Sequence, residues 1–135
     1  MSNKSIILRS FNTYYFEFID QTIQWYPERE ELSVWKTTLE MFKKTNPTIL
    51  IKSWFTYVYS PYAAAINEGN VEFFLKKDYN ADLKNMAPTG VENSKILEYI
   101  DNLKDLMRGM NETDLKTVIE YVQNLSKLSI QYTLM

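Results

Sequence analysis

The chain has 135 residues, 45% hydrophobic and 24% charged, and its 15 basic and 17 acidic side chains give a formal net charge of −2. It holds 3 Trp, 10 Tyr and 7 Phe but no histidine and no cysteine. That excludes disulfides, iron–sulfur clusters, thiolate zinc sites and the usual near-neutral acid/base group.

With 3 Gly and 4 Pro, the chain is poor in the turn chemistry of β-sandwiches and rich in helix formers. Leu8, Phe11, Tyr15, Phe18, Ile19, Thr22 and Tyr26 step by three and four, which predicts a helix over about 5–26. Ile7, Tyr14, Phe16, Ile23 and Trp25 widen its apolar face beyond one stripe, so it is expected at the centre of a bundle or under a partner. Pro27 ends this helix and is expected at the start of the next, over about 28–45. Glu28, Glu30 and Glu31 suit the positive end of that helix dipole, and Lys43 and Lys44 the negative end. Its apolar row is Leu32, Trp35, Leu39 and Phe42.

Asn46-Pro47 repeats the start signal for a third helix, 47–68, carrying Leu50, Ile51, Trp54, Phe55, Val58, Tyr59 and Tyr62. Pro61 inside this pattern predicts a kink near 59–61, and Gly69 predicts a left-handed cap. A short helix is expected over 70–77, then a loop over 78–91 containing Pro88 and Gly90. Ile96, Ile100, Leu103, Met107 and Met110 mark a helix over 92–110. Asn111, with Asp114 at the capping-box position, opens the last, 112–133, through Leu115, Val118, Ile119, Val122, Leu125, Leu128 and Tyr132. The predicted fold is all-α: a compact bundle of five or six helices in one domain, 1–135. Its expected core row is Phe11, Tyr15, Phe18, Leu32, Trp35, Leu39, Ile51, Trp54, Phe55, Ile96, Ile100, Leu103, Leu115, Val118, Val122 and Leu125.

Carboxylates are the remaining candidates for chemistry. Glu98, Asp101 and Asp105 share a helical face, but Lys104 and Arg108 lie beside them, and the face reads as solvated surface. A di-iron bundle would also need Glu-x-x-His pairs. Asp78 and Asp82 lack the ligand spacing of a calcium loop. Gly69, Gly90 and Gly109 are isolated, so neither a phosphate-binding loop nor a nucleophile elbow is present. No catalytic, cofactor-binding or metal-binding residue is assigned, and the chain is read as non-enzymatic.

Residues 1–67 carry 7 basic and 6 acidic side chains and 68–135 carry 8 and 11. Neither half forms the basic stripe that direct nucleic-acid binding needs. Three apolar residues before Arg9 are too few for a signal-peptide core, and no window approaches the ~18 apolar residues of a membrane span. A soluble, cytoplasmic protein is expected, in which the sequons Asn111-Glu112-Thr113 and Asn124-Leu125-Ser126 carry no meaning.

The aromatics offer a sharper reading. On a helix Trp54, Phe55, Val58 and Tyr62 share a face, while Tyr57 and Tyr59 point elsewhere. Either those two pack with half-buried rings and wet hydroxyls, or the kinked segment binds another protein chain. Tyr14, Phe16 and Trp25 on the far side of the first helix pose the same alternative. Candidate partner-binding residues are therefore Trp54, Tyr57, Tyr59, Tyr62, Tyr14, Phe16 and Trp25, and the occupant is a protein partner or a second copy. The leading function is a protein–protein interaction or assembly module. A small-molecule or lipid-binding bundle would instead enclose an apolar cavity, and a carboxylate/Lys enzyme would converge two such groups in a cleft. A nucleic-acid cofactor and a mimic of a host helical regulator are further fates for a small helical protein.

Three runs carry a resemblance: Ser10-Phe11-Asn12-Thr13-Tyr14-Tyr15-Phe16-Glu17-Phe18, Asn46-Pro47-Thr48-Ile49-Leu50-Ile51-Lys52-Ser53-Trp54 with Pro61-Tyr62, and Tyr121-Val122-Gln123-Asn124-Leu125-Ser126-Lys127-Leu128-Ser129. In these the chain resembles small uncharacterised all-helical proteins of nucleocytoplasmic large DNA viruses. The resemblance implies a virus-encoded structural or accessory protein, made in host cytoplasm and packaged in the virion. It implies no catalytic residue.

Overall fold

Asn3–Trp25 contains neither proline nor glycine, and it forms one helix, α1. The computed structural model describes residues 3–70 and 105–134, together with 95, 98, 99, 102 and 103, and every regular element among them is helical. α2 spans Glu30–Thr45, α3 Ile49–Ser53, and a π-helical turn, Trp54–Tyr59, leads into α4, Ser60–Glu68. The last described helix, α5, spans Glu112–Leu134. This is an all-α compact bundle in a single domain. The expected helix 70–77, the loop 78–91, Ile96 and Ile100 lie outside the described residues. Residues 95, 98, 99, 102, 103 and 105–107 are helical, within the span expected at 92–110.

α2 begins later than the expected 28. The Arg29 N–H donates to the Tyr26 carbonyl at 3.0 Å, and Arg29 is extended (φ −90°, ψ 93°). Pro27 and Glu28 therefore form a turn, where the fixed φ of proline fits the second position as well as it fits a first helical residue. α3 likewise begins at Ile49, later than the expected 47: Asn46 Oδ1 accepts the Thr48 N–H at 3.2 Å and the Thr48 hydroxyl at 2.9 Å, which makes 46–48 a turn ahead of the helix instead of its cap. Asn12 Nδ2 donates to the Pro47 carbonyl at 3.1 Å and ties this corner to α1.

The kink takes a specific form. Proline has no N–H, and inside an α-helix its ring meets the carbonyl four residues earlier, here that of Tyr57. The helix widens just before Pro61 instead, with the Ser60 N–H donating five residues back to the Phe55 carbonyl. The helix then bends at Tyr62 (φ −123°, ψ 24°). Widening also serves packing. Residues four apart drift by about 40° on an α-helix, and a wider turn offsets that drift. Trp54, Val58 and Tyr62 are all buried.

Gly69 adopts φ 66°, ψ 35° and ends α4 in a Schellman motif: the Gly69 N–H reaches the Ile66 carbonyl and the Asn70 N–H the Ala65 carbonyl. Gln123 Nε2 of α5 also donates to the Ile66 carbonyl, at 2.9 Å. Asn111 Oδ1 accepts the Asp114 N–H at 2.8 Å, which caps α5. Residue pairing sets directions. Phe18 stacks on Tyr121, Asn124 Nδ2 donates to Tyr14 Oη, and Lys4 sits over the Tyr132 ring, so α1 and α5 run antiparallel. The Asp20–Lys36 and Phe16–Lys43 contacts make α2 antiparallel to α1 as well.

The core gathers Phe11, Tyr15, Phe18, Leu32, Leu39, Ile51, Trp54, Leu103, Val118 and Leu125 as expected. It also includes Ile19, Leu50, Tyr62, Ile66, Tyr99, Leu106, Met107 and Ile119. Trp35, Leu115 and Val122, expected inside, are half-buried at its rim, and Phe55, also expected inside, is half-buried. Serine fills positions that periodicity alone does not mark: Ser126 and Ser129 of α5 are buried with their hydroxyls partnered, Ser129 Oγ donating to the Ser126 carbonyl at 2.8 Å and Ser126 Oγ accepting the Trp54 indole N–H at 3.0 Å.

Gly69→Ala is expected to destabilise the fold by about 1–2 kcal/mol, since any Cβ strains this left-handed residue. The new methyl also meets Gln123 Nε2 at 3.3 Å and Ile119 Cγ2 at 3.6 Å. Urea unfolding of the two proteins measures the difference.

Candidate functional site

α2 carries two apolar rows, not one. Leu32 and Leu39 are seven residues apart and enter the core. Val34 and Met41 are also seven apart, two residues further on, and two residues turn a helix by about 200°. They therefore face outward, 62% and 61% exposed. Between and beyond them stand Thr37, Thr38 and Thr45. Each hydroxyl donates to the carbonyl four residues back, at 3.1, 3.0 and 3.1 Å respectively. With the hydroxyl turned onto its own helix, a threonine offers its methyl to the surroundings. The face thus reads Val, two Thr, Met, Thr, bounded by Glu30 and Glu31 at one end and Lys44 at the other.

The opposite edge of α2 is fixed. Lys36 Nζ lies 2.7 Å from Asp20 of α1 and 4.0 Å from Glu40. The hydrogen bond to Asp20 raises the lysine pKa above its ordinary value, against the opposing effect of burial. Trp35 meets the Tyr99 ring edge-on at 5.2 Å, and the Lys43 ammonium sits 4.9 Å above Phe16.

The seven aromatics proposed as partner contacts do not form one surface. Trp54 and Tyr62 are only 4% and 7% exposed and belong to the interior. Trp54 stands edge-on to Phe11 at 6.2 Å and Tyr15 at 6.0 Å, with its N–H on Ser126. Tyr14, Phe16, Trp25, Tyr57 and Tyr59 are half-buried. Tyr14 lies 4.7 Å from Tyr121 and Tyr59 6.0 Å from Phe55, and the Tyr59 hydroxyl accepts from Asn67 Nδ2 at 3.3 Å. Val34 and Met41 escaped the sequence reading because α2 already had a satisfactory apolar row. The signal was the second seven-residue pair at a two-residue offset.

Of the carboxylates considered, Glu98 pairs with Lys95 at 3.6 Å and Asp105 with Arg108 at 3.7 Å, all exposed. Asp101, Asp78 and Asp82 lie outside the described residues. Grooves among the described residues open to solvent. One of about 560 Å³ is lined by Glu17, Asp20, Gln21, Ile23, Gln24 and Tyr121. Another, about 340 Å³, lies between the start of α1 and Pro47, with Arg9, Asn12 and Lys43 in its wall.

Inside the bundle the hydroxyls of Tyr15 and Tyr99 are buried with no hydrogen-bond partner among the described residues. Burial pushes both phenols far above their ordinary value near 10. Tyr99 reinforces the rise at Tyr15, while at Tyr99 the Thr22 hydroxyl opposes it. The Thr22 hydroxyl donates to the Phe18 carbonyl at 2.9 Å. Burial likewise raises Tyr26, whose hydroxyl donates to the Leu106 carbonyl at 3.1 Å.

No helix among the described residues is long and apolar enough to cross a membrane. No protein family, curated protein or solved structure matches this chain.

The buried phenols set an alkaline limit. The penalised form is the phenolate, so the stability they confer is complete below pH 10, where unfolded tyrosine stays neutral. It is lost as pH rises beyond 10, by about 1.4 kcal/mol per pH unit for each phenol. Tyr15→Phe is expected to reduce that slope by one such increment. At neutral pH it should hold or raise stability by up to about 1 kcal/mol, because an unpartnered hydroxyl leaves the core. Denaturant unfolding between pH 8 and about 11.5 reads both effects.

Proposed function

We propose that this protein is a non-enzymatic docking module that assembles with another protein chain through the outer face of α2. One observation carries the reading. Val34 and Met41 lie more than half exposed on one helical face, and the threonines beside them have turned their hydroxyls inward. Apolar side chains aligned on one face, rimmed by charge, form the pattern of a binding patch, whereas scattered ones need no explanation. The buried Leu32 and Leu39 seat the helix on the core, so little ordering entropy opposes binding. The resemblance to proteins of large DNA viruses extends the proposal to a virus-encoded structural or accessory component acting in host cytoplasm or the virion.

Val34→Glu with Met41→Glu tests the reading. Both positions are exposed, so the fold should keep its stability within about 0.5 kcal/mol. Chemical cross-linking in expressing cells should join Lys43 or Lys44 of the wild type to another chain, and the double variant should lose those links. Equal links in both proteins, or none in the wild type, would overturn the proposal.

A further inference from the structure

We infer that the chain covering this face is a second copy of the protein, set antiparallel across a two-fold axis between Thr37 and Thr38. The inference rests on the docking reading above and names its occupant. Glu30, Glu31, Val34, Thr37, Thr38, Met41, Lys44 and Thr45 follow one another in steps of one and three, which keeps them on one side of the helix, and all but the half-buried Thr38 are exposed. The stripe is close to symmetric about its middle in shape and antisymmetric in charge. Laid antiparallel on its own image, Val34 meets the partner's Met41 and Thr37 meets the partner's Thr38. Glu31 then faces the partner's Lys44 and Glu30 the partner's Thr45. A two-fold axis makes each contact occur twice, so one carboxylate–ammonium pair becomes two, one at each end of the apolar strip. A parallel arrangement would set Glu31 against the partner's Glu31 and Lys44 against the partner's Lys44, which opposes it electrostatically.

Local partners leave these charges available. Lys44 has no ion-pair partner among the described residues. Glu31 contacts Arg29 at 3.3 Å, with both side chains about half exposed (47% and 50%), an arrangement in which a surface pair holds weakly and exchanges readily. The threonine hydroxyls, already bonded to their own helix, lose no hydrogen bond on being covered, so the centre of the contact desolvates methyl groups. One helix pair falls in the small-interface class, below about 1,200 Å². The dimer is accordingly reversible, with a Kd of roughly 100 µM.

Charge exchange tests the register directly. The full-length wild type, Glu31→Lys, Lys44→Glu and the double variant carrying both are compared by sedimentation equilibrium up to about 1 mM in low salt. Each single variant paired with itself holds two like-charge contacts and should associate at least tenfold more weakly than the wild type. An equimolar mixture of the two single variants restores opposite charges at both ends and should recover wild-type affinity within threefold, as should the double variant alone. A wild type that stays monomeric at 1 mM overturns the inference, and the docking proposal then stands or falls on the cross-linking of Lys43 and Lys44 to a different protein. Single variants that dimerise like the wild type also overturn it, because the copies would then meet elsewhere.

Discussion

The indole of Trp54 joins the three parts of the bundle. Its edges meet the rings of Phe11 and Tyr15 on α1, and its N–H reaches Ser126 on α5. Its backbone opens the π-helical turn that carries the chain toward Pro61. An indole of this size contributes several kcal/mol when fully buried, and its N–H must find an acceptor there. The serine on α5 supplies that acceptor where a bulkier side chain would push the helices apart. The wide turn follows from two demands on one segment: Pro61 forbids a regular α-helical bond, and Trp54, Val58 and Tyr62 must all face inward. One local widening answers both. π-Turns recur at functional sites in other proteins; here the turn has a packing explanation that suffices.

Polar bonds at the corners fix the remaining geometry. The Asn12 amide holds the Pro47 corner, the Tyr26 phenol holds the turn after Leu106, and the Gln123 amide closes the end of α4. Each joins a side chain to a backbone carbonyl on another element, which gives direction where hydrophobic contact is indifferent to it. α2 is held differently, by two buried leucines and one short ion pair on its inner side. Its buried leucines lie on that inner side, and Val34 and Met41 stand exposed on the other.

The fold was legible because its signals were local. The start of α5 is carried by Asn111 and the end of α4 by Gly69, both visible as residue types at the right positions. The kink followed from Pro61 alone. Its π character did not, since widening depends on which neighbours Trp54 and Val58 must reach across the bundle. The start of α2 was misplaced because proline fits a turn and a first helical position equally well, and the Tyr26–Arg29 bond decided between them. The proposed partner surface was harder to see. Aromatic content drew attention to Trp54 and Tyr62, yet large rings are the first side chains a small core takes in. The informative residues were the modest Val34 and Met41, whose meaning depends on the opposite face being already occupied.

The back-bonded threonines bear on how the molecule behaves when alone. A strip made of leucines would be intolerable in water and would drive permanent association or aggregation. Methyl groups from threonine, spaced by one valine and one methionine, make a coating that water tolerates and that a like surface still prefers. Under the proposed self-association, a protein dressed in this way circulates bare without harm, and its abundance, more than any switch, sets how much of it is joined.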